Sequence, residues 1–156
     1  MSEVTCALHA VLDVLRTAGL LTEVRGSEDV VVRGVSQDSR TTVKDDLFLA
    51  WKGTQDDAHD FVPSAIGRGA SAVVVERSLQ VDVPQLVVRD GRQAAALAAD
   101  VVLGSPSARM AVVGVTGTNG KTTTSLLVRH LVAPEKRTAV IGTLGLTLKD
   151  GVRAAT

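Results

Sequence analysis

The sequence predicts an α/β fold, with a small N-terminal α/β domain followed by the beginning of a second, parallel α/β domain. Three observations predict it. Residues 71–76 (SAVVVE) and 85–90 (QLVVRD) are apolar runs without polar alternation, the pattern of strands covered on both faces. Apolar residues at helical spacing fall before and between such runs. Residues 111–130 (AVVGVTGTNGKTTTSLLVRH) pass from an apolar run through a glycine-rich bend into an amphipathic segment, the order that opens a parallel sheet.

Leu8, Val11, Leu12 and Leu15 recur at helical spacing, and Gly19 follows where a helix end favours glycine. Residues 29–35 (DVVVRGV) read as one strand, 36–46 as a polar, turn-prone stretch, and 47–51 (LFLAW) as a short apolar strand. Residues 56–70 read as a helix with Phe61, Ala65 and Ile66 inward and Gly67 or Gly69 closing it. Pro63 falls in its first turn, where the missing N–H does little harm. Residues 92–103 form an alanine-rich helix. The stretch 104–109 (GSPSAR) then sets a domain boundary, dividing the chain into 1–107 and 108–156. Beyond it, 110–115 (MAVVGV) reads as a strand, 121–132 as a helix and 137–142 (RTAVIG) as another strand. One such unit leaves its sheet edges uncovered, so it reads as the start of a domain.

Composition narrows the partners. Apolar residues make up 45% of the 156, enough for a real core, yet aromatics are only 2%, so that core is aliphatic. Lys plus Arg equals Asp plus Glu at 17 each, which gives no electrostatic case for nucleic acid or an anionic membrane. No stretch approaches the roughly 18 apolar residues of a membrane span. The N-terminus lacks a basic region before its apolar part and carries Glu3 and Asp13, a poor signal peptide. The single Cys6 rules out an internal disulfide, so the expected location is cytoplasmic.

The glycine bend carries the chemistry. A helix N-terminus offers unpaired N–H groups and the positive end of the helix dipole, and glycines let the backbone curl around phosphates. Gly120-Lys121-Thr122 stands at the predicted strand-to-helix junction. Lys121 would place a mobile charge on the β/γ-phosphates and the Thr122 hydroxyl would ligate Mg²⁺. The strict P-loop pattern wants glycine five positions before Gly120, where this chain has Val115; the glycines fall at Gly114 and Gly117. An ordinary glycine turn beside a solvated lysine is the competing reading. A dinucleotide site fits poorly, since G-x-G-x-x-G does not occur.

The string GVTGTNGKTTT is spelled like the ATP loop of the Mur ligases, in which G-x-x-G-T-[NK]-G-K-T replaces the usual spacing. Upstream, residues 35–76 resemble the N-terminal UDP-binding domain of the family's MurE branch, with DSR, DLF and a GA-AVVVE run in the same order. Residues 138–151 (TAVIGTLGLTLKDG) also resemble that branch. The resemblance covers essentially the whole chain. It implies a UDP-binding α/β domain followed by the beginning of a P-loop parallel α/β ATPase domain. It implies ATP-dependent amide formation through an acyl phosphate, joining a diamino acid to UDP-N-acetylmuramoyl-L-Ala-D-Glu (UDP-MurNAc-L-Ala-D-Glu) in peptidoglycan precursor synthesis.

Residue by residue, Ser39 within Asp38-Ser39-Arg40 matches the family serine that contacts the UDP-sugar, with Gln37 at a neighbouring contact position. Thr54, Gln55 and Asp56, after Gly53, match the loop that lies against the uridine. Gly117, Thr118, Asn119, Gly120, Lys121, Thr122 and Thr123 match the ATP phosphate loop, with Lys121 catalytic and Thr122 the metal ligand. The family's usual glycine before DLF is Asp45 here, which implies a turn without positive φ; its usual Asp-Gly is Asp57-Ala58.

Plainer readings stand beside these. Asp38 and Arg40 can simply cap and pair within a turn. His9, His59 and His130 read as surface or packing residues, Trp51 as core or rim packing, and Cys6 as a small buried hydrophobe. The family's acidic metal ligand, modified lysine and third domain are not found before Thr156, so the chain is expected to be an N-terminal portion, inactive alone. A non-catalytic UDP-sugar-binding module with a vestigial loop is the alternative. An unrelated small P-loop kinase is disfavoured, because its loop usually opens the domain.

Overall fold

The spacing of Leu8, Val11, Leu12 and Leu15 becomes helix α1 (Leu8–Thr17), and all four side chains are buried. These coordinates come from a computed structural model, which describes residues 5–132, 137–148 and 153–154. Residues 149–151 of the segment resembling the MurE branch, like Glu3 of the N-terminus, lie outside the described residues. The chain divides into two compact units between Ala111 and Val112.

In the first unit, β1 (Cys6–Ala7) leads into α1, and Gly19 closes the helix at φ 67°. β2 (Leu21–Arg25), β3 (Val31–Val32), β4 (Gly34–Ser36) and β5 (Asp46–Leu49) follow, then β6 (Ala72–Val75) and β7 (Gln85–Val88). Five of them make one sheet in the order β2-β7-β6-β5-β4. β4, β5, β6 and β7 run parallel, and β2 joins the edge antiparallel. Every residue of β5, β6 and β7 is buried: the apolar runs in β6 and β7 predict cover on both faces, and the polar Asp46 and Gln85 at the strand starts are buried with them.

Strand alternation sends side chains to two faces. Leu47, Leu49, Ala72, Val74, Leu86 and Val88 pack with α1 and α3 (Gly91–Val102). Phe48, Val73, Val75 and Val87 pack on the other face with Val62 and Ala65 of α2 (Val62–Gly67). Each such Val or Leu contributes roughly 1.5–3 kcal/mol on burial, against about 0–1 kcal/mol for a surface ion pair. The two aliphatic layers therefore hold this unit. Asp90 starts α3 by accepting the Gln93 N–H at 2.9 Å.

Four expectations change here. Residues 29–35 are two strands, not one: β3 pairs with β1 and β4 with β5, so the chain changes partners at Arg33. The stretch 56–70 is a 3₁₀ turn (Ala58–Phe61) running into α2, because Pro63 has no N–H to continue the turn's bonding into the helix. Phe61 is 46% exposed rather than inward, while Val62 and Ala65 take the buried stations. Asp45 does adopt positive φ, 66°, where the sequence implied none. Aspartate tolerates that region better than most side chains, and this one is anchored: its N–H donates to Gly69 O at 2.9 Å and its carbonyl accepts from the Arg33 N–H at 2.8 Å.

The second unit holds α4 (Lys121–Val132), β8 (Ala139–Gly142), β9 (Gly145–Leu148) and β10 (Arg153–Ala154). The sheet order is β10-β9-β8, and both pairings are antiparallel. Residues 110–115 form no strand, and Val112 and Val113 are exposed. A strand needs a ladder partner, and none pairs with this run among the described residues. The parallel pairing expected between 110–115 and 137–142 is replaced by the antiparallel β8–β9 hairpin.

Candidate functional site

In an open parallel sheet, ligands bind beyond the carboxyl ends of the strands. The loops leaving β4 and β5 at that end enclose a cavity of about 620 Å³. Gln37, Ser39 and Arg40 line it from the first loop, and Trp51, Asp56 and Phe61 from the second. Of the residues predicted to touch a UDP-sugar, Gln37, Ser39 and Asp56 thus share one cavity. Thr54 and Gln55 sit exposed in the same loop but are not among its lining residues.

The first loop is held from within. Asp38 accepts the Arg40 N–H at 2.9 Å and pairs with its guanidinium at 2.7 Å, which is the turn-capping role the triplet allows. That guanidinium, hydrogen-bonded to it, holds the Asp38 carboxyl down at about 2. Thr42 Oγ1 donates to Asp38 O at 3.1 Å and lies 3.0 Å from Ser36 Oγ. Ser39 is buried, yet its hydroxyl makes no hydrogen bond among the described residues.

A second knot holds the Trp51–Phe61 loop. The His59 ring is buried: Nε2 accepts the Glu76 N–H at 2.8 Å and Nδ1 lies 2.5 Å from Asp57 Oδ1. An Nε2 that accepts leaves the ring proton on Nδ1, which donates to Asp57. Asp57 also takes the His59 backbone N–H at 3.0 Å and pairs with Arg77 at 3.2 Å. Glu76 accepts the Lys52 N–H at 3.0 Å and the Gly91 N–H at 2.8 Å, joining the loop to the start of α3. Gly53 is needed for its close turn, since a Cβ there would lie 2.8 Å from Asp56 O. His59 is a packing residue, as its place in the sequence suggests, but its two partners come together only in the fold.

Sequence reasoning missed two lining residues, Trp51 and Phe61. The signal available was scarcity: the chain holds one Trp, two Phe and no Tyr, so any aromatic outside the core is a choice.

In the second unit, Gly117 (φ 144°) and Gly120 (φ 77°) shape the bend ahead of α4. Lys121 folds over it, its Nζ donating to Gly117 O at 2.6 Å and Thr118 O at 3.3 Å. Lys121 and Thr122 line a cavity of about 150 Å³ with Val115, Val140 and Gly142, whereas Thr118, Asn119 and Thr123 are exposed beside it. Two left-handed glycines, a helix N-terminus and one mobile ammonium form a donor set suited to a phosphate chain. The Thr122 hydroxyl would offer one oxygen to Mg²⁺ held by such phosphates. Among the described residues there is no group of three or more His, Cys, Asp or Glu able to hold a metal, and no helix long and apolar enough to cross a membrane.

Residues 31–114, more than half the chain, match the profile described as Mur ligase family, catalytic domain. The chain belongs to the Mur ligase family. Residues 115–156 match the Mur ligase middle domain. Similar curated proteins are UDP-N-acetylmuramoyl-L-alanyl-D-glutamate–2,6-diaminopimelate ligases. That of Geobacillus kaustophilus is 43% identical over 80% of this chain and 25% of its own length. That of Aquifex aeolicus is 45% identical over 78% of this chain and, again, 25% of its own. The chain therefore spans about a quarter of the length of these relatives. A solved ligase of the same description superposes with a TM-score of 0.70 at 28% identity, covering 92% of this chain and 29% of that one. MurF ligase from Thermotoga maritima, solved with ADP, gives 0.54 at 32% identity over 68% of this chain and 24% of that one. The α/β architecture with its parallel sheet is thus that of Mur ligases.

Proposed function

We propose that residues 1–107 bind the UDP-sugar substrate and residues 108–156 carry the ATP phosphate loop of a ligase of peptidoglycan precursor synthesis. That ligase joins a diamino acid, such as the 2,6-diaminopimelate of the named relatives, to UDP-MurNAc-L-Ala-D-Glu. The observation that carries the reading is the convergence of Gln37, Ser39 and Asp56 on one cavity at the carboxyl ends of β4 and β5.

Within it, the Ser39 hydroxyl and the Gln37 amide supply hydrogen bonds to the nucleotide sugar, on loops fixed by Asp38 and His59. In the second unit Lys121 exchanges its carbonyl partners for phosphate oxygens, and the amides of Gly117 to Thr123 surround the same anion. ATP, when bound, supplies the activation of the substrate carboxylate. The part played by these residues is to hold it and to spread its charge. The Thr122 hydroxyl would hold Mg²⁺ beside those phosphates.

Isothermal calorimetry of the chain with UDP-MurNAc-L-Ala-D-Glu tests this. Saturable binding that Ser39→Ala weakens supports the reading. Binding unaffected by that change would move the site elsewhere. Substrate binding without any affinity for magnesium-ATP would instead favour a non-catalytic binding module.

A further inference from the structure

Three hydrogen bonds meet on Glu76, just past β6, and two of them hold the loop that walls the cavity. Its Oε2 accepts the Lys52 N–H at 3.0 Å, and its own N–H donates to His59 Nε2 at 2.8 Å. Its Oε1 accepts the Gly91 N–H at 2.8 Å, at the start of α3. That N–H is one of the helix-end donors with no partner inside the helix, and a carboxylate there also meets the positive end of the dipole. The close approach requires glycine at 91: a Cβ would lie 2.5 Å from Trp51 Cβ and 3.1 Å from Glu76 Oε1. The loop is also closed on itself. The Ala58 N–H donates to Trp51 O at 3.2 Å, the Gly53 N–H donates to Asp56 O at 2.9 Å, and Lys52 bridges Asp57. A segment tied internally moves as one piece, so its direction is set where it is fastened to the sheet. Glu76 fastens both of its ends, residue 52 through the carboxylate and residue 59 through the backbone. Glu76 itself is not among the cavity's lining residues, whereas Trp51, Gly53, Asp56 and Ala58 are.

We propose that Glu76 is a positioning residue for substrate: its carboxylate holds the Trp51–Ala58 loop against α3, so that the cavity wall stands in its binding position before the nucleotide sugar arrives. The inference rests on the proposed UDP-sugar function and adds a residue outside the cavity on which affinity depends. A carboxylate accepts at both oxygens, whereas an amide of the same size presents a donor where one N–H already points. A ligand that needs the loop in one position binds more weakly in proportion to the fraction of molecules that hold it there.

Calorimetry of the full chain with UDP-MurNAc-L-Ala-D-Glu is run on Glu76→Gln, Glu76→Ala and Val102→Ala, each with its urea midpoint. The backbone N–H that His59 accepts survives every substitution at 76, so the carboxylate alone is tested. Glu76→Gln should weaken substrate by about tenfold, the scale of one charge-assisted hydrogen bond, and Glu76→Ala by more. Val102, buried at the other end of α3, supplies the contrast: Val102→Ala should lower the midpoint and leave affinity unchanged. A further measurement needs no variant. In the wild-type chain, substrate at about a hundred times its dissociation constant should slow hydrogen exchange of the Lys52 amide about a hundredfold, because the opened loop does not bind. Wild-type affinity in folded Glu76→Gln, or a Lys52 amide whose exchange ignores substrate, overturns this inference and leaves the UDP-sugar reading standing. Affinity losses that follow the midpoint equally in Val102→Ala overturn it too, since Glu76 would then be a structural tie only. Failure of the wild-type protein to bind UDP-MurNAc-L-Ala-D-Glu at all overturns both.

Discussion

His59 Nδ1 lies 2.5 Å from Asp57 Oδ1, while the opposite ring nitrogen accepts the N–H of Glu76. One buried imidazole thereby ties the loop after β5 to the end of β6. His59→Phe removes both bonds and leaves the Glu76 N–H without its acceptor. The expected cost is about 2–3 kcal/mol, read as a lower midpoint in urea unfolding. A midpoint equal to wild type would show that the ring is not a structural tie.

Asp57 also sets an acid limit. Its carboxyl is held at about 2 against an ordinary 3.8, first by the His59 ring N–H and then by the His59 backbone N–H. A carboxyl depressed on folding contributes stability that is whole above its unfolded value. That stability is lost as pH falls through its folded value. The window therefore runs from about pH 4 down to about pH 2. Asp57→Asn, followed by thermal unfolding across that range, should lose less stability on acidification than wild type. An identical acid slope would contradict the assignment.

Asp45 holds a left-handed backbone at φ 66°. Glycine there relieves roughly 1–2 kcal/mol of local strain but adds about 0.5–1 kcal/mol of unfolded-state entropy. Asp45→Gly should therefore fall within about 1 kcal/mol of wild type, and Asp45→Ala about 1 kcal/mol below the glycine variant. An alanine variant as stable as the glycine one would mean that the turn can relax to negative φ.

Lys121 Nζ sits 2.6 Å from Gly117 O. Lys121→Ala should weaken magnesium-ATP binding by at least about tenfold, the scale of one charge-assisted hydrogen bond. UDP binding should be unchanged, because the cavity that would hold it is lined only by residues of the first unit. Equal ATP affinity in both proteins would reduce the glycine bend to a plain turn.

How far the sequence foretold these features depended on range. α1, α3 and α4 follow from local spacing, and β5, β6 and β7 from apolar runs too short for helices. The division of 29–35 did not follow, because Val31–Val32 and Gly34–Ser36 answer to partners far apart in sequence. Residues 110–115 have a strand's composition, yet a ladder needs a neighbour that composition cannot supply. Ser39 and Gln37 were singled out through their motif, and both line the cavity. Trp51 and Phe61 were not, because whether an aromatic faces a core or a cavity is decided by the sheet beneath it.

The central claim is that this chain carries two separate ligand sites, one per unit. Amide chemical-shift mapping of the labelled chain tests it most directly. Adding UDP-MurNAc-L-Ala-D-Glu should move resonances of 37–40 and 51–58, and adding magnesium-ATP should move those of 117–123. Substrate that shifts neither 37–40 nor 51–58 in a folded chain would contradict the account.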